Sequence, residues 1–202
     1  MRNGLIIAAS ATAVALAVGG LGWTARAADA RSNVEVHVGP EAIKCKNPAD
    51  ATNLAWPLGD SDGFVYQVPA LNLNSDFDCT LSMIVRNAGN SQVSLKNLVL
   101  NGLGEINANG ANAPRLTLNN IQRIRNESAD ATFALDIALG PGQVMEISAV
   151  LEPSAGCMGI GGWAGAERNP KITVEAFGLS GIVESTGPTY ALLGTKDSTC
   201  DG

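Results

Sequence analysis

The chain has 202 residues, of which 46% are apolar, 16% charged and 4% aromatic, with a formal net charge of −6. That length fits one domain or one domain with a tail. The acidic balance excludes the basic face that phosphate binding needs, so no nucleic-acid partner is expected, and the single histidine excludes a multi-histidine metal site.

The first 27 residues differ from the rest. Arg2 gives a short positive start, Leu5 to Val18 form an uncharged apolar run, and Gly19, Gly20 and Gly22 weaken the helix that follows. Ala25-Arg26-Ala27 and Ala28-Asp29-Ala30 each offer small residues at −3 and −1. This order reads as a secretory signal helix over residues 1–27, with cleavage possible as late as residue 30. The alternative is a retained anchor, because the nineteen residues from Leu5 through Trp23 carry no charge and nearly suffice to span a bilayer. Removing residues 1–27 takes away Arg2 and Arg26, leaving 11 Lys+Arg against 19 Asp+Glu and a net of −8. No membrane contact is expected beyond this segment.

The four cysteines, Cys45, Cys79, Cys157 and Cys200, all lie past the leader. An even number in an exported chain is expected to pair, and four allow three connectivities. Cys45–Cys79 with Cys157–Cys200 closes the shorter loops and is the favoured pairing. No C-x-x-C spacing is present, so neither a zinc site nor thiol redox chemistry is expected.

In the remaining residues, 28–202, apolar positions alternate with period two. Val34, Val36 and Val38 share one face of a first strand, with Glu35 and His37 on the other. Further strands are expected at Phe64–Val68, from Cys79 to Arg86, and at Val93–Leu100, Leu116–Ile124, Thr132–Leu139, Val144–Leu151, Ile172–Phe177 and Gly181–Ser185. Gly140-Pro141-Gly142 reads as a tight turn between antiparallel neighbours. Long connections are expected at residues 47–63, 101–114 and 153–170. The fold class is all-β: a single antiparallel β-sandwich, Ig-like or jelly-roll-like, after the N-terminal signal helix.

Two stretches carry a resemblance. The run from Cys79 to Asn90, ending Arg86-Asn87-Ala88-Gly89-Asn90 and followed by Val93-Ser94-Leu95, resembles the "strand, N-x-G-N, strand" pattern of bacterial extracellular Ig-like domains. Leu139-Gly140-Pro141-Gly142-Gln143, leading into Val144–Leu151, is similar to the "L-x-P-G-x, strand" step of the same group. Among these, the camelysin and TasA-like fibre proteins also place a signal peptide directly before one β-sandwich. The resemblance implies a sandwich at the cell surface and assigns no catalytic residue.

Several residue groups are candidate sites. Asp60-Ser61-Asp62-Gly63 sets two carboxylates one residue apart before a glycine, as loops for hard cations do. Phe64, Tyr66 and Leu71 stand where an EF-hand loop needs oxygen ligands, so an Asx turn is the plainer reading. Asn72, Asn74, Asp76 and Asp78 fall at every second position. With Asp60 and Asp62 they make a loose Ca²⁺ candidate, or simply a solvated strand face. No other cofactor is expected. Gly159 to Ala164 matches G-x-G-x-x-A but has no room for the helix a dinucleotide site needs. His37 reads as a rim residue, since no G-x-S-x-G elbow accompanies it. Asn126-Glu127-Ser128 is a glycosylation sequon, and Arg123 with Arg125 reads as a solvated face. Trp56 and Trp163, in long connections, are either interaction anchors or caps folded onto the sandwich.

The expectation is a secreted or cell-surface bacterial protein that binds or builds and does not catalyse. Its partner would be a protein or another envelope component, a second copy of itself included. The alternatives are a subunit of an extracellular fibre or matrix joined through edge strands, and a carboxylate hydrolase or Ca²⁺-dependent binding module using Asp60, Asp62, Asp76 or Asp78.

Overall fold

The alternation seen in the sequence becomes a set of sheets with one face buried. The computed structural model describes residues 22–57, 65–73, 76–105, 110–118, 121–124, 129–154, 164–166, 169–185 and 190–195. Within them a helix α1 (22–32) leads into β1 (Val34–His37), β2 (Ile43–Cys45), a short 3-10 turn (Pro48–Asp50), β3 (Ala51–Pro57), β4 (Val65–Leu73) and β5 (Cys79–Asn87). There follow β6 (Val93–Leu100), β7 (Ala111–Leu118), β8 (Ile121–Ile124), β9 (Ala131–Leu139) and β10 (Val144–Pro153). The last strands are β11 (Ala164–Ala166), β12 (Lys171–Ala176), β13 (Leu179–Glu184) and β14 (Ala191–Gly194).

One sheet has the order β1-β5-β10-β7-β8, with β2 also on β5; a second runs β13-β12-β6-β9 and a third β11-β14-β4-β3. The first two enclose a common core, with Met83, Val85, Leu116 and Ile147 from one side meeting Leu95, Leu98, Phe133 and Ile172 from the other. The protein is thus an all-β antiparallel sandwich. The third sheet departs from it in one respect, since β14 runs parallel to β4. Leu71, Leu73 and Leu192 extend the main core, while Val68, Ala70 and Ala191 pack with Leu54 and Leu193 in a separate small cluster. This parallel pair is therefore apolar on both faces, the usual condition of parallel strands.

Period two is kept except where the ladder slips. In β6 the register shifts between Leu95 and Asn97 against both neighbours, so Leu95 and Leu98, three residues apart, both point inward. Asp136, at φ +45°, lies in the β9 stretch facing this slip. In β7 a second shift sits opposite Val150 and Glu152. Pro114, which has no N–H to give a ladder, falls within it.

Several sequence boundaries need correction. The connection expected at 47–63 holds β3, which pairs with β4 from Ala51↔Leu71 to Pro57↔Val65. The strand expected at Phe64–Val68 runs on to Leu73 as β4. The connection expected at 101–114 ends early, because β7 already begins at Ala111, and Leu116–Ile124 is two antiparallel strands. The connection at 153–170 contains β11. Gly140 to Gln143 does not join neighbours in one sheet. It carries the chain from β9 in the second sheet to β10 in the first.

That arch and the one from β5 to β6 meet at Asn87, which is fully buried. Its backbone N–H donates to Gln143 O at 3.0 Å, and its carbonyl accepts from Gly142 N–H at 2.8 Å. Its side-chain amide donates to Ser91 O at 2.8 Å and Leu139 O at 2.9 Å, and its Oδ1 accepts from Gly89 N–H at 3.0 Å. One asparagine thereby closes one end of the sandwich.

Helix α1 packs against the hairpin of β12 and β13. The hairpin turns through Phe177 (φ +52°) and Gly178 (φ +76°), the positive angles of a two-residue type I′ loop. The Trp23 indole N–H donates to Phe177 O at 2.9 Å, and Arg31 Nη1 donates to Leu179 O at 2.9 Å. Among the described residues no helix is long and apolar enough to cross a membrane.

Candidate functional site

The edge of the first sheet opens where β1 gives way to β2. Both strands pair with the same side of β5: β1 ends with His37 opposite Ile84, and β2 resumes with Ile43 opposite Leu81. Six residues of the edge thus advance while β5 advances three, so the chain between must swing outward. Gly39 and Pro40 begin this excursion. Ala42 N–H closes it on Gly39 O at 3.0 Å, and Ser82 N–H holds it by donating to Ala42 O at 2.8 Å. Buried Val38 anchors its start in the core.

The excursion stands as a ridge between two clefts. One, of about 280 Å³, lies toward β3 and is lined by Ile43, Ala51, Thr52 and Asn53 together with Glu41 and Lys44. The other, of about 440 Å³, lies over the outer face of the sheet and is lined by His37, Glu41, Lys44, Ser82, Ile84 and Glu146 among others. This second volume is that of a small-ligand or side-chain pocket.

Its floor is set by strand register. His37, Ile84 and Glu146 stand in one row across β1, β5 and β10, since Ile84 pairs with both. Ile84 is 46% exposed, an aliphatic side chain on the solvent face of an otherwise alternating strand. Around it stand one imidazole, two carboxylates and one ammonium group. The Ser82 hydroxyl meets the Ser148 hydroxyl at 3.1 Å. Among the described residues no hydrogen bond or ion pair engages the side chains of His37, Glu41 and Glu146. The arrangement suits holding an apolar group on Ile84 with a charged or hydrogen-bonding group beside it.

The sequence-derived candidates fall elsewhere. Asp76 and Asp78 lie between β4 and β5 and are exposed, and the Asp78 carbonyl accepts from Lys46 N–H at 2.9 Å. On either side of Phe77 they stay at the surface, the solvated face that their spacing suggested. The chain bends at Asp76, Phe77 turns into the core, and the Asn72 amide donates to Ala49 O at 2.7 Å beside the 3-10 turn. Among the described residues no group of three or more His, Cys, Asp or Glu side chains gathers as metal ligands do. Asp60, Asp62, Asn74, Cys157, Trp163 and Cys200 lie outside the described residues, as do Arg125 and the sequon at 126–128. Trp56 belongs to β3, opposite Tyr66, rather than to a loop. Cys45 and Cys79 form a disulfide, and they are also direct register partners between β2 and β5.

Sequence reasoning placed His37 on an outward face but missed the cleft beside it. The available signal was Gly39-Pro40 directly after Val38, a dipeptide that marks a turn or loop. No family model matches the chain, and a comparison with curated proteins finds no relative.

Proposed function

We propose that this is an exported binding module of the cell surface or extracellular space, working without catalysis. Its recognition surface is the cleft between the 38–42 excursion and β5. The observation that carries this reading is that cleft: an aliphatic floor at Ile84, edged by His37, Glu41, Lys44 and Glu146. The Cys45–Cys79 bridge supports the compartment, because such bonds persist where the surroundings oxidise. Two carboxylates at the rim favour a polypeptide that offers an aliphatic side chain next to a lysine or arginine.

Titration of the isotope-labelled protein with short extended peptides of that type, followed by amide shifts, tests the reading. Shifts gather on residues 39–44, Ser82, Ile84 and Glu146, and Ile84→Lys weakens binding at least tenfold. Shifts scattered over the surface, or unchanged affinity in the variant, sink it.

A second reading is a fibre or matrix subunit, as in the TasA-like proteins the sequence resembles. It is favoured by β13, one of the two outermost strands of the second sheet among the described residues, on which Ile182 is 67% exposed. Edges of this kind accept further strands. Concentration-dependent light scattering that Ile182→Lys abolishes is the expected sign of it; a monomeric profile at every concentration and mild acid pH speaks against it.

A further inference from the structure

The helix that spans both expected cleavage points is bound to the domain by several fitted contacts. Trp23 and Phe177 meet edge to face, with ring centroids 5.6 Å apart and planes at 66°, in addition to the hydrogen bond from the indole. Phe177 holds a left-handed conformation (φ +52°) that a bulky side chain seldom adopts. Asparagine at this turn position would be easier. Strain kept in place by its surroundings points to a role for the strained residue.

Further along the same hairpin, Arg31 reaches over β13. A Cβ on Gly181 would stand 2.7 Å from Arg31 Nε and 3.1 Å from its Cδ, so a side chain there would make the arginine shift from this path. On the helix, Ala27 is fully buried and Ala30 is 4% exposed, within the same core cluster as Val34. Cleavage after Ala27 would discard Trp23 and the buried Ala27. Cleavage after Ala30 would also remove the alanine that joins the core, leaving a strained phenylalanine with no ring to meet.

We infer that helix α1 is a permanent part of the folded protein, so that the chain keeps its N-terminal segment and works tethered to the membrane through the uncharged run Leu5 to Leu21. The inference rests on the export reading above and replaces release by retention. Trp23 then sits where the apolar run ends and the domain begins, the level at which tryptophan is enriched in membrane proteins.

The test is expression of the full chain in a bacterium with an export pathway, read three ways. Intact mass shows the N-terminus, alkaline carbonate washing shows whether the chain leaves the membrane, and thiol labelling shows whether Cys45 and Cys79 are oxidised. An intact N-terminus on a carbonate-resistant, oxidised chain is expected. A chain beginning at Ala28 or Arg31, or one that washes free, overturns the inference. Reduced Cys45 and Cys79 overturn the export reading instead. In parallel, Phe177→Asn relieves the backbone strain yet removes the ring, so trypsin cuts at Arg26 at least tenfold faster than in the unaltered protein. An equal rate overturns the clasp.

Discussion

Replacing Cys45 and Cys79 together by alanine lowers the unfolding free energy by about 4 kcal/mol, the loop-closure value for their separation of 34 residues. The effect acts mainly through the unfolded chain. In the folded protein the two residues already face each other in register on β2 and β5, where the ladder holds them with or without the bond. The loop that the bond closes contains the 3-10 turn, β3 and β4. Its loss therefore frees the β3–β4 hairpin of the third sheet first, before the core shared by β6, β9 and β10. Equilibrium urea unfolding of the double variant measures the total. Hydrogen exchange then locates it, with β3 and β4 amides accelerated more than those of β6 and β9. A loss below about 1 kcal/mol would mean that the unfolded chain already keeps these segments together. Paired replacement is the informative form, since one cysteine alone would leave a thiol at Cys79, which is 1% exposed.

Which features could be read from residues alone depended on the distance over which each is decided. Val34, Val36 and Val38 point inward, as their alternation requires, and so do Cys79, Leu81, Met83 and Val85. Burial of one face imposes period two locally, so the antiparallel sandwich was legible. The Cys45–Cys79 bond followed from loop length and export. β3 was missed because Ala51–Pro57 is held by backbone pairing to β4 and its residues alternate poorly. The two arches at Asn87 were missed for another reason. Gly140 to Gln143 has the chemistry of a turn, but turn chemistry does not say whether the next strand lies beside the last or across the core. The cleft depends on the offset between His37↔Ile84 and Ile43↔Leu81, a relation between three strands that no one segment encodes. The alternation of Asp76 and Asp78 with Phe77 was legible in the same way: the two carboxylates are exposed and the ring between them is buried.

Asn87→Ala is expected to cost about 3 kcal/mol, from an asparagine that sequence reasoning used as the end of a strand and the start of a turn motif. Truncation leaves the carbonyls of Ser91 and Leu139 and the N–H of Gly89 without their partner. The bonds to Leu139 and Gly89 are buried, so water cannot readily replace the lost amide. Each buried polar group left unpaired costs about 1–3 kcal/mol, and two such groups set the expected size. Aspartate is no remedy, although it keeps an acceptor for Gly89. It puts a carboxylate oxygen where the amide had donated to two carbonyls, so Asn87→Asp loses at least as much at neutral pH. The contrast separates hydrogen bonding from volume, because aspartate nearly matches asparagine in shape. Urea midpoints of the two variants decide it: if Asn87→Asp stays within about 0.5 kcal/mol of the unaltered protein, the amide donors do not hold this end closed. If both fall as expected, the joint between the β5–β6 and β9–β10 arches is a polar lock inside an apolar sandwich. The strand alternation on either side would then supply the layers, and Asn87 would keep the two sheets shut at that end.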